Sequence, residues 1–271
     1  PRDPHYPLRR QRQMCIRDRS QPFYSGIPLW PWPVMYDTEI KRVTFPEFAT
    51  FPYDPKRGRV NKMTTVINTK MHASTHMDAP LHVLEGGLSV DKIPLSSCYG
   101  EGVVVDMRHK GKWGVITAKD LDEAKPQIKE GDFVVINTGW HKYFPTYGWQ
   151  YFNYYPGNYT EAADWYVDHK IKALAVDGGA TDHPLAHAPL AKWNPNLHAE
   201  YKQETGKDSD EEFPIYEPTH IALAKAGIPG IEIAGGQIDE VTGKRCMLAA
   251  FPIRYIGGEA SMVRLVAIVD E

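Results

Sequence analysis

The stretch His72–His82, HASTHMDAPLH, holds three of the chain's eleven histidines together with a carboxylate. Its chemistry-bearing side chains all occupy even positions: His72, His76, Asp78 and His82. Successive side chains alternate between the two faces of an extended chain. These four side chains therefore lean to one side for as long as the segment is a strand, and the pattern predicts a polar strand end.

The residues around this stretch favour a strand that breaks into a loop. Residues 64–69 (TTVINT) are rich in β-branched types, which predicts a strand leading into the motif. Pro80 lacks a backbone donor and ends regular pairing, so we expect the strand to break near Asp78. A helical HxxxH pair fits poorly, because Pro80 and the β-branched lead-in both oppose a helix.

The composition is typical of a soluble globular protein and excludes several classes of function. A chain of 271 residues suffices for one large domain or two small ones. The net charge of -3 gives no basic excess that would indicate nucleic acid or an anionic membrane. Three cysteines without a CxxC pair favour a reducing, cytoplasmic compartment over a disulfide framework. No apolar run approaches the ~20 residues needed to span a bilayer.

Residues 1–19 differ from the rest of the chain. They contain six arginines, no apolar periodicity and no helix caps, and they lack the apolar core of a secretory signal. The run 11–19, QRQMCIRDR, resembles translated adapter or assembly read-through; a native disordered basic tail is the alternative. We therefore predict a non-native or disordered tail over 1–19 and one domain over 20–271.

The remaining sequence alternates short apolar runs with helix signals. Helices are predicted near 117–125, 160–170 and 218–227, and strands near 102–107, 131–140, 172–177, 229–233, 248–255 and 261–269. Two segments stand apart: an aromatic loop at 141–159, which would be a lid, a pocket wall or a subunit contact, and an irregular insertion at 183–217. No repeat or linker divides the chain, so one mixed α/β domain is predicted.

The first three polar residues of the histidine stretch suit a catalytic metal. Two imidazoles and a carboxylate, as in His72, His76 and Asp78, are ligands for Zn²⁺ or Mn²⁺, whereas thiolates would indicate a closed structural zinc. Three protein ligands leave a position for water, and a metal lowers the pKa of that water to about 7. The alternative, a polar strand end with satisfied histidines, is weak for three such residues at i, i+4 and i+6.

Two downstream residues add to the candidates. His220 falls in the first turn of the predicted helix 218–227, where the helix dipole disfavours imidazolium, and neutral imidazole is the ligand form. Glu232 interrupts an apolar strand, so it faces away from Ile231 and Ile233. From this local pattern, a solvated strand face and a site residue are equally good interpretations of Glu232.

The histidine stretch resembles the HxGTHxDxPxH signature of the cyclase family, which includes bacterial kynurenine formamidases (arylformamidases), isatin hydrolases and related lactone hydrolases. His220 and Glu232, twelve residues apart, fall where that family has its downstream His and Glu. The similarity covers roughly residues 21–271 and extends to other segments: Ile27–Pro33, Gly131–Trp140, residues 175–177 with Asp182, and residues 258–264.

The resemblance implies a single domain of the swivelling β/β/α type, usually a homodimer or homotetramer. By analogy with the dizinc arylformamidases, His72, His76 and Asp78 hold one metal, and Asp78 bridges to a second metal held by His220 and Glu232. In the isatin hydrolases the first triad holds a single Mn²⁺. The resemblance thus implies one or two divalent ions per subunit, Zn or Mn, with His82 beside them as the proton-transfer residue.

We therefore expect a cytoplasmic hydrolase of an amide, arylformamidase-like, in which metal-bound hydroxide attacks an N-formylkynurenine-type substrate of tryptophan catabolism. An isatin hydrolase-like cyclic amide or lactone hydrolase is the second hypothesis. A non-catalytic metal-binding scaffold and a structural zinc site are the others.

The predicted substrate is a small aromatic amide, imide or lactone, held by flat side chains. The residues expected to contact it are Trp30, Trp32, Ser74 and Trp140. Ser74 replaces the glycine of the signature, so its side chain would narrow the pocket, add a hydrogen bond, or strain a turn that favours glycine.

Overall fold

The structure of the protein is a computed structural model that describes residues 14–29, 38–45, 55–56, 62–187, 194 and 196–270. The strands in these ranges are Met14–Asp18 (β1), Glu39–Thr44 (β2), Met63–Asn68 (β3), His76–Asp78 (β4), Tyr99–Asp106 (β5), Val115–Ile116 (β6), Phe133–Asn137 (β7), Gly157–Asn158 (β8), Ala173–Val176 (β9), Gly230–Glu232 (β10), Lys244–Ala249 (β11), Ala260–Met262 (β12) and Val266–Asp270 (β13). The α-helices are Ala118–Asp122 (α1), Phe144–Tyr147 (α2), Tyr151–Tyr154 (α3), Thr160–Asp168 (α4), Asn196–Thr205 (α5), Ser209–Glu212 (α6) and Pro218–Ala226 (α7).

Nine strands form one mixed sheet in the order β1-β13-β11-β5-β7-β9-β10-β4-β12. Strands β5, β7, β9 and β10 run parallel at its centre, and the flanking strands pair antiparallel. Phe133 and Val135 of β7 pack into one hydrophobic core, whereas Val134 and Ile136 pack into the other. Because both faces are covered, β7 and β9 read as continuous apolar runs. The buried strands predicted there are confirmed.

A helical layer covers one face of the sheet. Leu121 of α1, Trp165 of α4 and Leu223 of α7 belong to the same buried cluster as the even-numbered residues of β7. The three helices lie where the sequence predicts them, and α1 begins with a capping box in which Thr117 and Asp120 are bonded reciprocally. The predicted mixed α/β fold in a single domain is confirmed.

The strand predicted ahead of the histidine stretch does not continue into it. β3 pairs with β2 in a separate antiparallel ribbon, and every residue of β3 is exposed. Residues 71–75 then bend, and Ser74 has a φ of 57°, in the left-handed region. This bend limits β4 to His76–Asp78, so the alternation argument holds for His76 and Asp78 but not for His72 or His82.

The boundary predicted near residue 20 also needs correction. Strand β1 pairs antiparallel with β13 at the edge of the main sheet, and Arg19 is fully buried. Edge pairing uses backbone groups and demands little of the side chains, so an arginine-rich segment carries no sequence signal for it. The non-native origin of residues 1–19 stays a prediction.

Both segments predicted without regular structure contain helices. Helices α2 and α3 lie in the aromatic loop, where Phe144, Tyr151 and Phe152 are buried together. Helices α5 and α6 lie in the 183–217 insertion, so the prediction of irregular structure there is wrong for these residues. Leu197 and Tyr201, at helical i, i+4 spacing, pack α5 into a small core of its own. No helix in the described ranges has the length and hydrophobicity to cross a membrane.

Candidate metal centre

Strand pairing builds the base of the site. β4 lies between β10 and β12, and its register with β10 sets His76 directly opposite Glu232. Directly opposed residues share a face of the sheet, as do residues two apart on one strand, so Asp78 joins them. His76 Nε2 lies 3.4 Å from Glu232 Oε2 and 3.5 Å from Asp78 Oδ1. Glu232 is buried, so the solvated-face interpretation is wrong.

Helix α7 supplies His220 from its first turn, as predicted. Thr219, a residue type that favours the N-cap position, is inside the helix. The N-cap is Glu217, with a φ of 48° and no capping side-chain bond. Asp182 caps the helix instead, accepting from the backbone N–H of Thr219 at 2.6 Å and of His220 at 3.1 Å. A carboxylate 37 residues away in sequence leaves no local signal for a cap.

The same carboxylate orients the ring of His220. Asp182 Oδ2 lies 2.5 Å from His220 Nδ1. The opposite ring nitrogen, Nε2, then lies 3.0 Å from Glu232 Oε1 and 3.5 Å from Asp78 Oδ2. A ring nitrogen that donates to a carboxylate fixes the tautomer and leaves the other nitrogen able to bind a metal.

The other two histidines of the stretch complete the cluster. On the bend before β4, His72 places Nδ1 3.0 Å from Asp78 Oδ1. His82 ends a short 3-10 helix, Pro80–His82, with its ring 4.3 Å from that of His72 and 5.8 Å from that of His220. His82 opens onto a cavity whose walls desolvate the ring, which lowers the pKa of His82 to about 4.

The polar atoms of this cluster converge without bonding to one another. His76 Nε2 and both carboxylate oxygens of Asp78 are buried and lack a hydrogen-bond partner. Neighbouring ligand-type atoms nevertheless lie only 3.0–3.5 Å from them. Ligands bound to a tetrahedral metal at ~2.0–2.1 Å stand roughly 3.3 Å apart. Buried unsatisfied polar atoms are costly, and a shared cation would satisfy all of them, so these residues fit a divalent metal.

Asp78 occupies the middle of the cluster. Its Oδ1 faces His72 and His76, while its Oδ2 faces His220. Two groups in the described residues have ligand atoms within 4.8 Å of one another, and Asp78 belongs to both: His72 with Asp78 and His82, and His76 with Asp78 and Glu232.

Supporting bonds fix the orientation of the candidate ligands. His76 Nδ1 lies 2.9 Å from the carbonyl of Ser74, to which it donates, so Nε2 faces Asp78 and Glu232. The backbone N–H of Thr181 donates to Glu232 Oε1 at 2.7 Å. Such partners hold ligand geometry in place.

Buried carboxylates give this centre a preference for positive charge. Desolvation lowers the pKa of His76, but Asp78 and Glu232 outweigh it and raise that pKa to about 9. Desolvation and Asp78 raise the pKa of Glu232, but His220 and His76 lower it by more, so the net result is a pKa of about 2. The carboxylates are therefore ionised, and a cation in their midst is favoured.

A cavity of about 830 Å³ opens onto this centre. Its volume suits a small organic ligand. His72, His82, His220 and Glu232 form its polar end. The rest of the wall is both apolar and charged: Asn68, Thr69, Lys70, Met71, Val83, His187, Glu217, Ile221 and Glu259.

The predicted substrate contacts need correction. Ser74 does not line this cavity; it is buried, and its Oγ donates to the carbonyl of Gln21 at 2.9 Å. Trp140 lies in the wall of a second cavity, with its Nε1 donating to the carbonyl of Tyr151. Tertiary packing of the aromatic segment decides that placement, and no local pattern reveals it. The left-handed φ of Ser74 does agree with a turn that favours glycine. Trp30 and Trp32 lie outside the described residues.

Several cavity and supporting residues escaped the sequence prediction. Lys70 and Glu217 line the cavity, and Asp182 and Thr181 hold the ligands. The family resemblance included Asp182, although without a role. For Lys70 and Glu217 the available signal was closeness in sequence, to the histidine stretch and to the helix start respectively. Thr181 acts through its backbone N–H, so its residue type gives no signal of this role in the sequence.

Comparison with known proteins finds similarity over most of the chain. A family model described as "Putative cyclase" matches residues 18–183. The kynurenine formamidase of Erythrobacter litoralis is 29% identical over 254 residues, covering 94% of this chain and 94% of that protein. The kynurenine formamidase of Sphingopyxis alaskensis is 25% identical over 255 residues, covering 93% of this chain and 96% of that protein.

Solved structures share the fold. Isatin hydrolase A from Ralstonia solanacearum matches with a TM-score of 0.67 at 19% sequence identity, covering 95% of this chain and 92% of that chain. Likeness at this identity concerns the fold alone, and it confirms the predicted fold class.

Proposed function

Because this chain belongs to the putative cyclase family, we propose that it is a metal-dependent hydrolase that cleaves an aryl formamide. The resemblance predicted from the histidine stretch is confirmed by the family match. The observation that carries the proposal is the convergence of three histidines, Asp78 and Glu232 around buried, unbonded ligand atoms. The relatives named kynurenine formamidase support the choice of an aryl formamide.

One carboxylate oxygen of Asp78 faces His72 and His76, and the other faces His220. We propose that His72, His76 and Asp78 would hold one divalent cation, Zn²⁺ or Mn²⁺, and that His220 and Glu232, together with Asp78, would hold a second. Oxygen and imidazole nitrogen suit both metals. When bound, such an ion supplies Lewis acidity, which polarises a carbonyl and acidifies water.

His82 has the position of a proton carrier. Its ring neighbours those of His72 and His220, lines the cavity and is not buried among the ligand atoms. Hydrolysis of a formamide adds water across the C–N bond and releases formate and an arylamine. A ring nitrogen of His82 would move a proton from the attacking water to the leaving amine nitrogen, which otherwise departs as an unstable anion.

The cavity wall would orient the substrate. Met71, Val83 and Ile221 give an apolar surface against which an aromatic ring packs. His220 keeps its place through Asp182, and Glu232 through the backbone of Thr181. The chain thus provides a rigid polar end and an apolar wall, which suits a flat amide.

The test combines metal analysis with absorbance assays on N-formylkynurenine and isatin. We expect bound divalent metal, turnover of N-formylkynurenine, and loss of turnover on chelation while the protein stays folded. Turnover of isatin alone would replace the formamidase assignment with a cyclic amide hydrolase. Metal bound without hydrolysis of any amide, imide or lactone would refute a hydrolase and favour a scaffold.

A further inference from the structure

One lysine stands in the wall of the catalytic cavity. Lys70 follows β3 and comes two residues before His72, and both residues line the same cavity. Lys70 is half-buried, so part of its side chain has lost contact with water. A partly desolvated ammonium is stabilised by a carboxylate or carbonyl partner.

The other half-buried lysines of the described residues have such partners. Lys110 lies 2.6 Å from a carboxylate oxygen of Asp120, and Lys172 donates to the carbonyl of Tyr99 at 3.3 Å. Within the described part of the chain, Lys70 has no ion pair and no side-chain hydrogen bond. A lysine in this state at the wall of a ligand cavity has its donors available to a ligand.

Two of the glutamates that line the cavity lie beside a histidine of the same wall. Glu259 Oε1 lies 3.8 Å from His72 Nε2, and Glu217 Oε1 lies 3.7 Å from His187 Nε2. Both carboxylates would repel an anionic part of a ligand. Among the described residues that line the cavity, Lys70 is the only lysine or arginine. Away from the metal centre it is therefore the group that attracts a negative charge, and that would fix how an anionic substrate lies.

We propose that Lys70 binds a carboxylate of the substrate, so that the substrate class is an aryl amide that also carries a carboxylate. The inference rests on the proposed hydrolase function and names a specificity-determining residue for it. Charge-assisted hydrogen bonds from an ammonium are short and strong, so Lys70 would read the presence of the anion.

The test compares an anionic and a neutral aryl formamide. The kcat/KM ratio of 2-formamidobenzoate to formanilide is measured in the wild type, in Lys70→Met and in Lys70→Arg. We expect the ratio to fall roughly tenfold or more in Lys70→Met, mainly through KM, and to be largely retained in Lys70→Arg. Lys129→Met, at an exposed lysine away from the cavity, should leave the ratio at the wild-type value.

A binding measurement separates this inference from the proposed function. Benzoate and benzamide are titrated calorimetrically into the metal-loaded wild type and Lys70→Met. Weaker binding of benzoate relative to benzamide in Lys70→Met supports the role of Lys70 even if neither formamide is hydrolysed, which would refute only the formamidase. In Lys70→Met, an unchanged preference for benzoate over benzamide, or a ratio of kcat/KM values within twofold of the wild type, overturns the proposed role of Lys70.

Discussion

Replacing Asp182 with alanine should weaken metal binding without touching a ligand. Asp182 is buried and accepts from two backbone N–H groups, those of Thr219 and His220, and from the ring Nδ1 of His220. Without it, the His220 ring loses the partner that fixes its tautomer and aims Nε2 at Asp78 and Glu232.

The contacts of Asp182 set the expected loss of metal affinity and the expected loss of stability. Loss of such an orienting partner costs ~10–100-fold in metal affinity. We expect the lower end, because Thr181 Oγ1, 3.2 Å from His220 Nδ1, is able to replace Asp182 as an acceptor. The free energy of unfolding should fall by roughly 2–4 kcal/mol, since the helix loses a cap worth ~1 kcal/mol and buried donors are left unpaired at ~1–3 kcal/mol.

The assay is competition for Zn²⁺ or Mn²⁺ against a chromophoric chelator, with urea unfolding of the chelated proteins. Asp120→Ala is the control, because Asp120 accepts from the N–H of the N-cap residue Thr117 at the start of a helix away from the cavity, and it also pairs with Lys110. It should lose roughly 1–3 kcal/mol of stability, since both the capping bond and the ion pair are removed, and keep its metal affinity. Metal affinity within twofold of the wild type in Asp182→Ala would refute the positioning role.

Three further predictions concern the site and the core. His82→Ala should keep its metal and lose ~10²–10⁴-fold in kcat, while Asp78→Ala should lose both metal and activity; full activity in His82→Ala would rule out a proton carrier. Ser74→Ala should lower the free energy of unfolding in urea by ~1–2 kcal/mol, because the carbonyl of Gln21 loses its donor while the left-handed backbone stays strained. Ser74→Gly relieves that strain and should be more stable than Ser74→Ala. The reverse order of stability would contradict strain at this φ. Burial lowers the pKa of His183 to about 4, so the unfolded chain binds a proton at this residue at a higher pH than the folded chain does. The free energy of unfolding should therefore fall by up to ~3 kcal/mol as pH drops from about 6.5 to about 4. In His183→Gln, the free energy of unfolding measured across this range should depend less on pH.

Local patterns in the sequence predicted those parts of the fold that local physics controls. The apolar runs of β7 and β9 and the extent of α7 depend on neighbours in the chain, and their predictions are confirmed. The N-cap of α7 is an exception, because Asp182, which is distant in sequence, accepts from its first backbone N–H groups. The bend at Ser74 is different, because an L-residue in the left-handed region is held there by tertiary contacts such as that with Gln21. Strand β3 therefore ends before the histidine stretch, although its β-branched residues predicted a strand that continues into it.

The site shows the same division. The residue types of the histidine stretch predicted a metal, and the family model, which matches residues 18–183, confirms the resemblance over that stretch. The same resemblance pointed to His220 and Glu232, which lie beyond the matched residues, and their role stays a prediction. The meeting of His76 with Glu232 depends on the register of β4 and β10, which are separated by about 150 residues of chain and have no common local signal. Trp30, Trp32 and Trp140 were predicted as substrate residues from aromatic type, and Ser74 from its replacement of a glycine. Packing placed Trp140 at another cavity and turned the hydroxyl of Ser74 toward Gln21.

The shortness of β4 explains why a carboxylate serves at its end. A three-residue strand paired on both sides, with β10 and β12, holds His76 and Asp78 rigidly, while the chain is free to turn immediately before and after it. The turns bring His72 back to one oxygen of Asp78, and the second oxygen remains for His220 from the helical layer. An amide in place of this carboxylate would present one acceptor and one donor, and the donor would repel a cation. Asp78→Asn should therefore weaken metal binding in one half of the centre more than in the other. Titration of metal per subunit in that variant measures both affinities. Equal weakening of the two halves would refute the division around Asp78.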